Sequence, residues 1–442
     1  MRLLTLWALL LVCSTSFAIE SLEAPPEPLS VMDRSEFIPG FLPLYWDKDE
    51  GQLFADIHEI KEPLIYYNGL SHGVGSNDLG LDRGRLGDTY LVEFDRVGQK
   101  VFLTAINTKY VARSENLAER RAVEEAFARS IIWGFEVVEA TDEHVFIDLT
   151  DFALSDATGL SEHLAARGEG SYAIDASRSA IYKAKTKSFP DNTEIDATLT
   201  YAGQSEGAIL RTVAPNPSAI TVHSHHSFVR LPDDGYTPLP FDPRAGYIDS
   251  GEASLVYDYA SPIAAPVKSA FARRHRLEKV DPTAEISEAV EPIVYWVDSG
   301  APEPVKTALI EGALWWNQAF EAAGYKDAFQ VKVLPAGVDS MDIRYNVIQW
   351  VHRSTRGWSY GASVRDPRTQ EILKGHVTLG SLRVRQDYLI AEGLVAPYGD
   401  SNSSEAIGEF ALARIRQLSA HEVGHTLGIA HNFAASADDR AS

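Results

Sequence analysis

The chain has 442 residues, 45% hydrophobic and 23% charged, with a formal net charge of −22 and a single cysteine. This is ordinary globular composition for two or three domains, and the acidic balance argues against nucleic acid and anionic membrane surfaces as partners. Cys13 is that cysteine and directly follows the first apolar run, so the rest of the chain forms no internal disulfide and depends on its core.

The N-terminus has the parts of a secretory signal: Arg2, an apolar run from Leu3 to Val12, and small residues around Ser16-Phe17-Ala18. Residues 1–18 are therefore expected to be removed, giving a secreted or periplasmic bacterial protein. Leu10-Leu11-Val12-Cys13 loosely mimics a lipid-attachment site, but Val12 is a poor residue before the cysteine. The apolar run is too short to span a membrane, and no later stretch is long enough. Residues 19–35 are acidic and Pro-rich and read as a leader with little structure.

Residues 36–284 read as a β-rich domain. Thr89 to Phe94, Lys100 to Thr104 and His144 to Leu149 have strand character, and Leu117 to Ser130 reads as a helix among them. Gly73-Val74-Gly75 has Asp78 where a phosphate loop needs its third glycine, so it reads as a turn. In His223-Ser224-His225-His226, alternation puts His223 and His225 on one strand face. No carboxylate stands at ligand spacing nearby, so these read as packed or surface histidines rather than a second metal site. The basic run Arg273-Arg274-His275-Arg276 reads as a solvated strand end or linker rather than a processing site.

From about residue 285 to 442 the pattern becomes mixed. Pro292 to Val297, Phe329 to Leu334 and Ile343 to Val351 read as strands, and Pro302 to Ala323 as a helix with Gly324 past its end. Leu309, Ala313, Trp316 and Phe320 give that helix an apolar face. Trp315-Trp316 and Trp350 read as core or helix-packing residues rather than a sugar platform. Ser359 to Arg365 and Glu371 to Leu379 read as a hairpin about Asp366-Pro367. A second long helix runs from about Ser403, capped by Asn402 or Ser403, to Gly428.

That helix carries His421-Glu422-Val423-Gly424-His425-Thr426-Leu427-Gly428-Ile429-Ala430-His431, or H-E-x-x-H-x-x-G-x-x-H. Four residues apart on a helix, His421 and His425 lie roughly 40° apart in azimuth, so both rings can face one ion. A continued helix would put His431 roughly 240° round from His425. The spacing therefore demands a break at Gly428, where glycine can take the left-handed conformation. Three imidazoles leave the fourth position of a tetrahedral zinc open, as a catalytic site requires. Glu422 is next to the first ligand and suited to act as general base on a water. The ligands must be neutral, so metal is expected to be lost as pH falls through about 6.

Residues 402–433 resemble the metzincin clan of zinc metalloendopeptidases, and the order of elements extends the resemblance to about residue 285. Within that clan the chain looks most like large secreted bacterial metalloproteases with a long N-terminal region of unknown function. The resemblance implies an α+β chain: a β-rich N-terminal domain, then a zincin-like upper subdomain with a twisted, mostly parallel five-stranded sheet and two long helices. It implies His421, His425 and His431 as zinc ligands and Glu422 as catalytic base. It also implies that Ser359 to Arg365 is the sheet edge to which an extended peptide or protein substrate adds as a strand. Asn432 follows the third histidine where the best-known subfamilies have Glu, Asp, Ser or Pro. The methionines are Met1, Met32 and Met341, all upstream of the motif. The expectation is thus of a fragment that stops before the Met-turn. A truncated or degenerate, inactive relic serving as a cell-envelope binding or scaffold protein is the alternative expectation. A zinc hydrolase acting on something other than peptides is the third.

Overall fold

Alternating apolar and polar side chains along the first half of the chain build one large antiparallel sheet. The structure, a computed structural model, describes residues 29–248, 255–355, 357–394 and 403–438. The expected signal peptide, residues 19–28 of the leader, Asn402 as a cap and the chain from 439 onward lie outside the described residues.

The sheet has thirteen strands. Its path runs Glu36–Ile38, Leu44–Asp47, Gln52–Asp56, Val145–Asp148, Ser130–Ala140, Lys100–Ala105, Leu86–Val97, Leu64–His72, Ala219–Arg230, Asn192–Ser205 and Gly170–Ile174. Every pairing along it is antiparallel. Inward-facing Tyr66, Phe135, Phe152 and Phe228 are fully buried in its main core. Two expectations need correction here. The leader is ordered at its end: Val31–Arg34 forms a helical turn capped by Ser30, and Val31 is buried beside Tyr45, Phe54 and Phe146. The helix from Leu117 stops at Ala126, and a strand begins at Ser130. The β-favouring run Ile131-Ile132-Trp133 takes over there.

The second sheet has five strands in the order Phe329–Val333, Ile293–Val297, Asn346–Val351, Ile372–Gly380 and Tyr360–Arg365. The first four run parallel, and Tyr360–Arg365 is the antiparallel edge. Trp350 is buried in its core; Trp315 is nearly half exposed. Helix Val305–Leu314 packs on helix Ser403–Thr426. Their close approach needs Gly312, whose absent Cβ would strike the Arg416 carbonyl, and Ser419 Oγ donates to the Leu309 carbonyl at 2.7 Å across the crossing.

Two further differences concern helices. The segment read as one helix to Ala323 breaks at Trp315 and resumes as Trp316–Ala322. The break turns Trp316 inward, where Nε1 donates to the Ala420 carbonyl at 2.8 Å. A helix not anticipated at all, Leu382–Leu394, lies between the hairpin and the histidine helix, so the region has more than two long helices. It buries only Asp387 and Ala391 and leaves Tyr388, Leu389, Ile390 and Leu394 exposed, so it has no apolar stripe to read. Among the described residues no helix is long and apolar enough to cross a membrane.

The two sheets are joined by a mixed interface. Ile65, Tyr67 and Val229 pack with Ile343 and Val364. Asp82 and Arg353 form a buried ion pair at 2.9 Å. Gly75 accepts from Ser354 N at 2.8 Å, so the turn at residues 73–75 serves to hold the loop leading into the edge strand. The basic run is not a solvated linker. Arg276 pairs with Glu371 at 2.8 Å and Asp233 at 2.6 Å, and the Arg274 carbonyl accepts from Ile372 N at 2.9 Å. His275 Nε2 lies 3.2 Å from the Tyr295 hydroxyl. Acidic partners from distant segments let this run pack as an extended strip along the hairpin.

Candidate metal centre

Helix Ser403–Thr426 presents His421, Glu422 and His425 one turn apart near its C-terminus. It ends as the spacing requires. Gly428 has φ +93°. Ile429 N donates to the Gly424 carbonyl at 2.9 Å and Gly428 N to the His425 carbonyl at 3.0 Å. This pair of bonds is a Schellman motif, which satisfies the last helical carbonyls and reverses the chain. Val423 and Ile429 pack in one apolar cluster beneath it. His431 is thereby swung back to the other two rings.

The three Nε2 atoms lie 3.0, 3.1 and 3.2 Å apart. Three nitrogens on a tetrahedral zinc, each at 2.0–2.1 Å, would stand about 3.3 Å apart, so the donor set fits one such ion. The tautomers fit too. His425 Nδ1 donates to the Ile429 carbonyl at 2.9 Å, which leaves its Nε2 lone pair for a metal. Burial, with His425 and His431 adjacent, holds His421 below the usual imidazole range and favours its neutral form.

Glu422 is 5% exposed. Burial pushes its carboxyl up to about 7, against the opposing charge of Arg383. Arg383 comes from the unanticipated helix and is held by Asp387 at 3.0 Å. The edge strand lies directly on this turn of helix. At Gly361 an added Cβ would collide with the Glu422 carbonyl and crowd Thr426 and His425. The outer side of Tyr360–Arg365 pairs with no strand among the described residues.

The three histidines singled out in the motif thus come together, with Glu422 next to the first of them on the same helix. The histidines at 223–226 do not join them. His225 Nδ1 meets Glu194 at 3.0 Å, His223 Nδ1 meets Asp196 at 3.2 Å, and His226 Nδ1 meets the Tyr66 hydroxyl at 2.9 Å. Among the described residues no other group of three His, Cys, Asp or Glu has ligand spacing. The carboxylates facing this cluster escaped the sequence because they sit on a strand about 30 residues away. Arg383 was missed for want of any helical signal around it.

Burial of other histidines makes the fold acid-sensitive. It pushes His226 and His376 down to about 3 and His275 to about 4. An unfolded imidazole titrates near 6.5, so the unfolded chain binds more protons below that value and stability falls as pH falls. Between pH 7 and 5 each ring costs about 2 kcal/mol. Glu422 acts the other way, as do Asp196 and Glu371, whose carboxyls burial also raises. Three rings act together, and the one large opposing shift, that of Glu422, offsets about one of them. The urea midpoint of metal-free protein should drop between pH 7 and pH 5; an unchanged or rising midpoint would contradict this.

Residues 84–280 match the family described as Domain of unknown function (DUF5117), and residues 403–442 match the family described as Met-zincin. No curated protein and no solved structure matches the chain. The Met-zincin match and the convergent triad together support a metzincin-like zinc protease.

Proposed function

We propose that the chain is a secreted or periplasmic zinc-dependent metalloendopeptidase with His421, His425 and His431 as ligands and Glu422 as general base. The convergence of three Nε2 atoms beside a buried carboxylate carries this reading. When bound, zinc would supply Lewis acidity, polarising a carbonyl and making water a stronger acid. Glu422 takes the proton of the attacking water and returns it to the leaving amine. Burial brings its carboxyl to about 7 in the metal-free chain, and a bound cation nearby would favour the ionised form that accepts the proton.

The open side of Tyr360–Arg365 offers main-chain donors and acceptors to an extended peptide, which would add as a further strand. Recognition through the main chain holds the scissile bond near Glu422 while placing few demands on side chains. Gly361 keeps that strand seated on the helix turn bearing His425.

A random peptide library incubated with the zinc-loaded protein tests the reading. Internal cleavage is expected, lost with a chelator and regained on adding zinc. Intact peptides in the presence of bound zinc would overturn it.

A further inference from the structure

The turn between the second and third histidines is held by main-chain hydrogen bonds, and two of them lead outside the zinc motif. Gly428 N and Ile429 N are satisfied by the helix end. The Ile429 carbonyl accepts from His425 Nδ1. The Gly428 carbonyl and Ala430 N find their partners elsewhere in the chain. Both are taken by the β-rich region: Ile248 N donates to Gly428 O at 2.8 Å, and Ala430 N donates to Gly246 O at 2.8 Å. Tyr247 and Ile429 form the intervening antiparallel bridge. On the remaining side the Arg273 carbonyl closes against the face of Gly428.

We infer that Gly246-Tyr247-Ile248 is a positioning strap for the metal centre, and that the β-rich region is a working part of the site rather than a removable pro-region. The inference rests on the zinc reading above. By fixing the peptide units on both sides of Ile429, the strap holds the carbonyl that sets the His425 tautomer. It also fixes the direction in which the chain enters His431. Metal-ligand orientation by such outer partners governs affinity as well as geometry.

The strap is itself preorganised. Gly246 has φ +75°, and Ala245 N closes a turn onto the Asp242 carbonyl at 2.9 Å. The Asp242 carboxylate pairs with Arg244 at 2.6 Å across the same turn. Main-chain pairing of this kind needs no side-chain pattern, so the motif gives no hint of it.

The test is zinc affinity of the full chain, measured by competition with a chromophoric chelator, alongside thermal unfolding of the metal-free protein. Ile248→Pro removes the donor to Gly428. Gly246→Val forces a branched residue into the left-handed region at a place where its Cβ meets only open space. Each should bind zinc about 10- to 100-fold more weakly, with metal-free unfolding close to the parent. Ala245→Ser, in the same exposed turn, should bind as the parent does. If Ile248→Pro does not fold, Gly246→Val decides. Parent-like affinity, within twofold, in the folded variants overturns the strap. A parent chain that binds no zinc overturns the proposed function instead, and the strap with it.

Discussion

Glu422→Gln is expected to keep one zinc per chain and to lower kcat/KM by about 100- to 10,000-fold, the range of a lost general base. The substitution keeps shape and removes only proton affinity. Glu422 is almost fully buried, and three imidazoles already complete the donor set, so metal content should not change. Metal analysis with progress curves on one cleaved peptide checks both halves. Retention of more than a tenth of parent activity would remove Glu422 from its assigned role.

Gly428→Val should abolish stoichiometric zinc binding while leaving the helix intact. A left-handed φ costs a non-glycine residue roughly 1–2 kcal/mol, and a branched side chain more. The new Cβ would also drive into the Arg273 carbonyl, which is main chain and cannot swing aside. The cheapest relief is to unwind the reversal, which carries His431 away from the other rings. Zinc affinity should fall by more than the roughly 100-fold expected for disturbing an outer partner, with far-ultraviolet circular dichroism unchanged. Gly408→Ala makes the contrast. It sits in the same helix with nothing near its Cβ, and should stabilise by about 0.5–1 kcal/mol. Normal zinc binding by Gly428→Val would mean the reversal does not depend on glycine.

The histidine site was legible because its logic is local. Ligands four apart on a helix and a glycine at the required reversal are all written within eleven residues. The succession of elements that builds the five-stranded sheet was legible for a related reason, because its strands and first helix each carry their own apolar pattern, whereas the parallel arrangement and the edge came from the resemblance. What escaped depends on partners far apart in the chain. Glu194 and Asp196 meet His225 and His223 only once two long strands take their register. The strap and the packing of Arg273 on Gly428 use backbone atoms, which leave no trace in side-chain pattern. Helix Leu382–Leu394 lacks an apolar stripe, so periodicity could not find it, and with it went Arg383.

The buried pairing of Asp82 with Arg353 bears on how this protein can be handled. The guanidinium lies in the loop that feeds the edge strand Tyr360–Arg365, and its side chain is 1% exposed. Cutting the chain near residue 285 to express the histidine half alone would remove Asp82 and leave Arg353 without its carboxylate. It would also bare Ile343 and Val364. The uncovered apolar face should make such a trimmed product aggregate on expression, whereas both halves supplied together should be recovered in solution.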